Sequence, residues 1–504
     1  MRKAIITALA AVFAAFGTAW AVPPGFFNAA IPIPVTSLAN SGTPILFQHI
    51  STSTNPAGLG ISGHAFVMHT EPLPANTVAV IGVTALASKT VTVSSTLNAS
   101  WTNVCSATGG TGNLKAWVFV ANEGATGGVD TVTVGVGTSA TQPVQFDLTF
   151  WENINTSSIT GGSLCSASGG ITPSSGVISP GSFTPTNNNA NGGNVIWTYV
   201  APCANVGSNT SAWTAGTGFT LLNAEIIWTN DQGFPQAAQY EVQTTAASVT
   251  PSISETGDST GCFNSASVAL AVANNSATAP STIHVAGIFH ESVTGWTSPG
   301  TMNVQIPFKG NLRVATFTWP GMSPNGGAGT ITSITSSDSC NFTAATNTTS
   351  GGNNIWYAQG CSACPTCTVS LVWTGTESEP QMSFRIYDVQ NALSSSYQNS
   401  ISQAAFSCGT TVTDAPTFTP TGASSGLTIE VTGNGNGPIT GFASGAPTGA
   451  VFDLWTFTGQ NDTDLADNAD SSNHLYYSST AAQNWNFTKT NGGDECYDAA
   501  AAFN

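Results

Sequence analysis

The sequence is short of charge: Asp, Glu, Lys and Arg together make up 7% of its 504 residues, against about 25% in an ordinary globular protein. Only eight residues are Lys or Arg, too few to neutralise a run of phosphates, so nucleic acid is excluded as a partner. Helix formers never combine with a helical period, and 53 Gly with 26 Pro would break such helices. Beyond the first 21 residues no apolar run approaches the ~18 needed to cross a bilayer, which argues against stable membrane insertion. The HExxH zinc-protease string does not occur. What is present is apolar: 41% of residues are hydrophobic and 9% aromatic, enough to drive folding in spite of the sparse charge.

Residues 1–21 carry Arg2 and Lys3, an apolar run from Ala4 to Phe16, and Ala19 and Ala21 flanking Trp20. This is the arrangement of a secretory signal peptide, with cleavage expected after Ala21. Pro23 and Pro24 follow at once and oppose continuation into a membrane span. The mature chain is therefore expected to be secreted, extracellular or displayed at the cell surface.

A shift of about 235 residues aligns the chain with itself. It lays Asn76–Val80 on Asn311–Ala315, Cys105 on Cys340, His49 on His284, and Ser182–Thr186 on Thr417–Thr421. With a one-residue slip, Gln145–Glu152 meets Gln381–Asp388. An ordered series of this kind predicts an internal duplication, with units at 22–277 and 278–504. Within each unit apolar and small polar residues alternate, as in Thr131–Val136 and Thr368–Trp373, and Gly, Asn, Ser and Pro fill the intervals. Period two with dense turn formers predicts an all-β chain of two tandem β-sandwich domains of jelly-roll type. Two small sandwiches within each unit are the alternative. With so few Lys to guard strand edges, self-assembly through sheet edges is an open possibility.

Ten cysteines in an exported chain point to disulfides. They are Cys105, Cys165, Cys203 and Cys262 in the first unit, and Cys340, Cys361, Cys364, Cys367, Cys408 and Cys496 in the second. Positions relative to the repeat suggest Cys165 with Cys262, Cys408 with Cys496, and Cys105 with Cys203. Cys361, Cys364 and Cys367 form a CxxCxxC run. Structural disulfides are the reading that the compartment favours; a zinc site and a redox pair are the alternatives.

Groups suited to catalysis are scarce. Gly422–Gly426 spells Gly-x-Ser-x-Gly, but a strand pattern follows where a nucleophile elbow needs a helix. His284 and His290, six apart, are expected on one strand face, and the matched His49 and His284 read as scaffold. Glu225, Asp453, Glu152 and Asp388 are the carboxylates that a glycosidase reading would use. Asp462, Asp464 and Asp467 cluster in one loop that could supply oxygens to calcium, although the spacing is not that of an EF-hand and a solvated acidic turn is the alternative reading. Trp101, Trp213, Trp296 and Trp485 lie among polar residues and are candidate platforms for stacking sugar rings.

The Asn76–Val83 segment, the Phe146–Trp151 strand and the Cys262–Leu270 segment resemble tandem β-sandwich modules of secreted bacterial proteins, whose roles are mostly unassigned. The resemblance implies an extracellular structural or adhesive part. The sequence thus leads to a non-enzymatic surface or matrix protein that contacts glycans or surface proteins, needing no cofactor unless calcium. A polysaccharide-active enzyme or carbohydrate-binding module is the alternative.

Overall fold

The computed structural model describes residues 42–54, 65–97, 100–108, 114–136, 144–165, 176–186, 193–203, 212–224, 236–256, 262–273, 279–294, 300–318, 330–346, 354–374, 381–408, 411–412, 417–422, 425–434, 439–453, 456–457, 469–489 and 494–504. Among these residues every regular element is a strand, so the protein is all-β.

The first eight strands are β1 (Ile45–Thr54), β2 (Ala65–His69), β3 (Val78–Leu86), β4 (Thr92–Ser95), β5 (Thr102–Thr108), β6 (Leu114–Asn122), β7 (Thr131–Gly135) and β8 (Val144–Glu152). Then come β9 (Thr160–Cys165), β10 (Val177–Ile178), β11 (Asn194–Pro202), β12 (Ala212–Ala215), β13 (Thr220–Ala224), β14 (Ala237–Gln243), β15 (Ile253–Thr256) and β16 (Phe263–Ala271). The chain continues through β17 (His284–Thr294), β18 (Gly300–Phe308), β19 (Leu312–Thr318), β20 (Thr330–Ser336), β21 (Thr343–Thr346), β22 (Asn354–Gln359), β23 (Cys364–Thr374) and β24 (Gln381–Gln390). It ends with β25 (Tyr397–Cys408), β26 (Thr411–Val412), β27 (Thr417–Phe418), β28 (Gly426–Asn434), β29 (Ile439–Phe442), β30 (Val451–Phe452), β31 (Thr456–Phe457), β32 (Ala469–Tyr477), β33 (Gln483–Asn484), β34 (Phe487–Lys489) and β35 (Asp494–Phe503).

One ten-stranded sheet runs β21-β22-β19-β24-β17-β1-β8-β3-β6-β5. Counted outward from its centre, the order is the same on both sides. The central pair, β1 and β17, is parallel, with His49 opposite Gly287. An eight-stranded sheet, β20-β23-β18-β13-β14-β11-β16-β9, also draws strands from both halves and joins them where Ala224 of β13 meets Gln305 of β18. The halves therefore share sheets, and Ser41–Asn504 form one compact unit.

Each half holds two sandwiches where the strand spacing pointed first to one. β1, β8, β3 and β6 lie side by side and face β2, β7 and β4, the order of a jelly roll with its two Greek keys. β9, β16, β11 and β14 repeat that order against β10, β15 and β12, and the second half repeats both. Alternation separates the cores. Ile81, Val83, Phe146, Leu148 and Phe150 pack towards Met68, Val132 and Val134; Val78, Val80 and Trp151 turn the other way, towards Trp197, Tyr199 and Val268. Each such side chain taken from water contributes about 1.5–3 kcal/mol.

Two of the expected cysteine pairings are replaced. Cys105 pairs with Cys165 and Cys203 with Cys262, at Cα separations of 5.9 and 5.3 Å. The cause is the strand order. β16 returns between β11 and β9, so Pro202 registers with Phe263 and the Cys203 N–H donates to the Cys262 carbonyl at 2.8 Å. Cys105 and Cys165 instead join β5 and β9, the edge strands of the two large sheets. In the second half Cys340 pairs with Cys361 and Cys364 with Cys367. Cys496 is buried in a disulfide, and the Cys408 side chain lies outside the described residues.

Candidate functional site

Ionisable groups do converge, but inside the protein. Glu71 follows β2 and is fixed by its own N–H, which donates to Gln48 Oε1 at 3.1 Å, and by Thr70 Oγ1, which donates to the Glu71 carbonyl at 2.7 Å. His474 lies on β32, opposite Ile429 of β28 and Val451 of β30, and Asp453 comes directly after β30. The imidazole stands between the two carboxylates, with Nε2 2.7 Å from Glu71 Oε1 and Nδ1 2.6 Å from Asp453 Oδ2. Tyr387 donates its hydroxyl to Asp453 Oδ2 at 3.2 Å, and the Tyr476 hydroxyl accepts the Val285 N–H at 2.8 Å. All of these side chains except that of the half-buried Tyr476 are buried.

Burial alone would push the His474 imidazole down, but the charges of Asp453 and Glu71 and the hydrogen bond to Asp453 carry it up to about 10. Burial raises the Asp453 carboxyl against the pull of that imidazolium, and it raises the Tyr387 and Tyr476 hydroxyls well above the usual range. Chemically this is a clasp. A histidine held as the cation, with a carboxylate at each nitrogen, has no free lone pair with which to act as base or nucleophile.

Two carboxyl pairs share the same character. Glu430 accepts from Thr432 and Asn473 and is pushed up to about 8 by burial. Its partner Asp498 is raised well above the usual carboxylate range, by burial first and then by Glu430 itself. Glu123 is raised to about 9 by burial and by Asp130. Asp130 is kept low because burial is outweighed by the hydrogen bonds it accepts from Glu123, Leu97 and Thr96. Glu123 thus keeps its proton beside an ionised Asp130, whereas in the second pair both carboxyls are raised, which favours the neutral form of each. All four carboxyls are buried, whereas a glycosidase needs its pair open to substrate.

The residues singled out from the sequence fall as follows. Trp213 and Trp485 are buried, at 1% and 0% exposure, and offer no face to a glycan. The polar neighbours Thr214 and Asn484 are exposed strand residues, while the rings themselves fill the cores with Phe263 and Phe487. Trp101 is half-buried against the first core. Trp296, Glu225, Asp462, Asp464 and Asp467 lie outside the described residues. Glu152 is half-buried, and Asp388 is buried, accepting the Lys309 and Gly310 N–H groups at 2.8 and 2.7 Å. Gly426 opens strand β28, as the pattern after the Gly-x-Ser-x-Gly string implied.

His49 and His284 occupy the two strands of the central seam. His49 Nε2 lies 3.0 Å from Asp147 Oδ2, and His284 Nε2 lies 2.9 Å from the Phe47 carbonyl oxygen. A bulge between Val285 and Gly287 breaks the alternation, so that Val285 and Ile288, three apart, enter one core. This corrects the expectation that His284 and His290 share a face. Glu71 and Tyr476 carried no motif, and only the folded topology brings them to His474.

No protein-family model matches the chain, and neither does any curated protein.

Proposed function

We propose that this is a secreted, non-enzymatic structural protein of a cell surface or extracellular matrix, with adhesive contacts made by its Ser-, Thr- and Asn-rich loops. One observation carries the reading: among the described residues the carboxyl and histidine clusters are buried, and His474 is spent on holding the two halves together. Two further features support it. Cysteine pairs at disulfide distance fit an oxidising environment. Sheets shared by both halves give a scaffold that resists separation.

The test is to assay the mature chain on a glycan array and on insoluble polysaccharides. Binding without turnover, or binding to surface proteins alone, is the expected result. Release of reducing sugar by the pure protein would replace this reading with the polysaccharide-active alternative.

A further inference from the structure

Among the crosslinks, Cys364–Cys367 stands apart. It spans a sequence separation of 3, against 60, 59 and 21 for Cys105–Cys165, Cys203–Cys262 and Cys340–Cys361. A disulfide stabilises mainly by restricting the unfolded chain, and the restriction shrinks with the loop it closes. Strand β23, which carries both cysteines, is already held between β18 and β20 by main-chain hydrogen bonds. The first copy closes the corresponding turn without any cysteine, with Glu123 and Asp130 in its place. As a staple, then, this bond has little to do.

Its surroundings suit a different task. Cys367 is fully buried, Cys364 is half-buried, and Pro365 and Thr366 between them are exposed, so Cys364 is the more accessible cysteine of the two. The buried sulfur accepts a hydrogen bond from Ser336 Oγ at 3.5 Å. Arg313 Nη1 donates to that same Ser336 Oγ at 3.1 Å, which polarises the hydroxyl towards sulfur. The guanidinium is buried and held by Asp338 at 3.0 and 2.5 Å, by the Ser362 carbonyl at 3.1 Å and by the Phe308 ring at 4.1 Å. Asp338 balances the arginine charge, leaving the Ser336 hydroxyl as the group that favours a thiolate on Cys367.

We propose that Cys364–Cys367 is a redox-active disulfide that exchanges with dithiols. An incoming thiolate attacks Cys364 Sγ and forms a mixed disulfide; the Sγ–Sγ bond breaks and Cys367 leaves as the thiolate, stabilised by Ser336. The second thiol of the dithiol, as its thiolate, then attacks the incoming sulfur and expels Cys364, and both cysteines take protons from water. The dithiol ends oxidised to a disulfide and the protein pair reduced, with no other electron carrier. A leaving thiol of lowered pKa departs faster, which is what the hydrogen bond supplies.

The oxygen of Asp338 and the sulfurs of Cys364 and Cys367 lie within 4.8 Å of one another. A zinc dithiolate is therefore the competing state, and the experiment separates the two. The folded chain is exposed to graded dithiothreitol without denaturant, alkylated and mapped by mass spectrometry, with zinc measured in parallel. Cys364 and Cys367 should label together while Cys105, Cys165, Cys203 and Cys262 stay protected. Ser336→Ala should slow reduction about fivefold and Ser336→Thr should restore it, both with unchanged circular dichroism. The proposal is overturned by reduction of this pair no faster than the others, by an S336A rate equal to wild type, or by one zinc per chain on reduced cysteines as purified.

Discussion

Glu71 Oε1 and His474 Nε2 stand 2.7 Å apart although they come from opposite halves of the chain. The contact is possible because β2 and β30–β32 lie on the same side of the ten-stranded sheet, where β31 pairs with β2 through Phe66 and Phe457. With Asp453 on the other nitrogen, the imidazolium links the first half to the second. A buried charge of this kind is costly to desolvate but more costly to leave without its partners.

His474→Gln is therefore expected to destabilise the protein by about 3–5 kcal/mol, since it leaves two buried carboxylates facing each other. The pH dependence carries a sign. The folded imidazole is raised from 6.5 to about 10, so its stabilisation is whole below 6.5 and is lost as pH climbs through 10. Thermal unfolding followed across this window should show a falling midpoint in the wild type and a flatter profile in the variant. Parallel profiles would refute the clasp.

Glu123→Gln should act in the opposite direction. The folded carboxyl is raised from 4.5 to about 9, chiefly by burial. The protein thus gains from this proton fully below 4.5 and loses that gain as pH rises towards 9. An amide supplies a permanent donor in place of the proton. The variant should match the wild type at acid pH and exceed it by about 1–3 kcal/mol at about pH 8, as read from denaturant titrations. A variant less stable than wild type at both pH values would mean that Asp130 does not share the proton.

These groups also mark how far the sequence could be read. Strand alternation in Thr131–Val136 and Thr368–Trp373 reappears as β7 and β23, because one-sided burial imposes period two locally. The aligned Asn76–Val80 and Asn311–Ala315 segments lead into β3 and β19, which hold equivalent places in one sheet. Nothing local, however, tells where a returning strand inserts. The insertion of β16 between β11 and β9 changed the cysteine pairing, and it could not be inferred from spacing. The Glu71–His474–Asp453 site has the same origin: three single residues without a motif, assembled by long-range sheet pairing. Trp213 and Trp485 misled because successive side chains of an extended chain face opposite ways, so an exposed Thr214 or Asn484 does not report where the neighbouring ring points.

Replacing both Cys203 and Cys262 by Ser should cost about 2–5 kcal/mol. The bridge closes a sequence separation of 59 and pins the ends of β11 and β16, the central strands of the second sandwich. Denaturant unfolding under oxidising conditions measures the cost. A disulfide map of the intact protein that links Cys165 to Cys262 would refute the strand order itself, since Cys165 registers with Ala266, away from the end of β16 where Cys262 lies.

Packing between the two large sheets can be tested at one glycine. Gly82 of β3 lies against the facing aromatic pair, and a Cβ there would sit 2.5 Å from Tyr199 Cγ and 2.9 Å from Trp197 Cη2. The tyrosine ring cannot swing aside freely: its hydroxyl is 3.0 Å from Thr84 Oγ1 and donates to Gln236 Oε1 at 2.9 Å. The two rings are also stacked, with centroids 6.1 Å apart. Gly82→Ala is therefore expected to lower stability by about 1–3 kcal/mol through overpacking, where an ordinary exposed substitution changes it by about 0.5 kcal/mol or less. Tyr199→Leu in the same chain should recover part of the loss by removing the obstructing ring, so the double variant should be more stable than the sum of the single changes. Strict additivity in thermal unfolding would show that the sheets do not meet at Gly82.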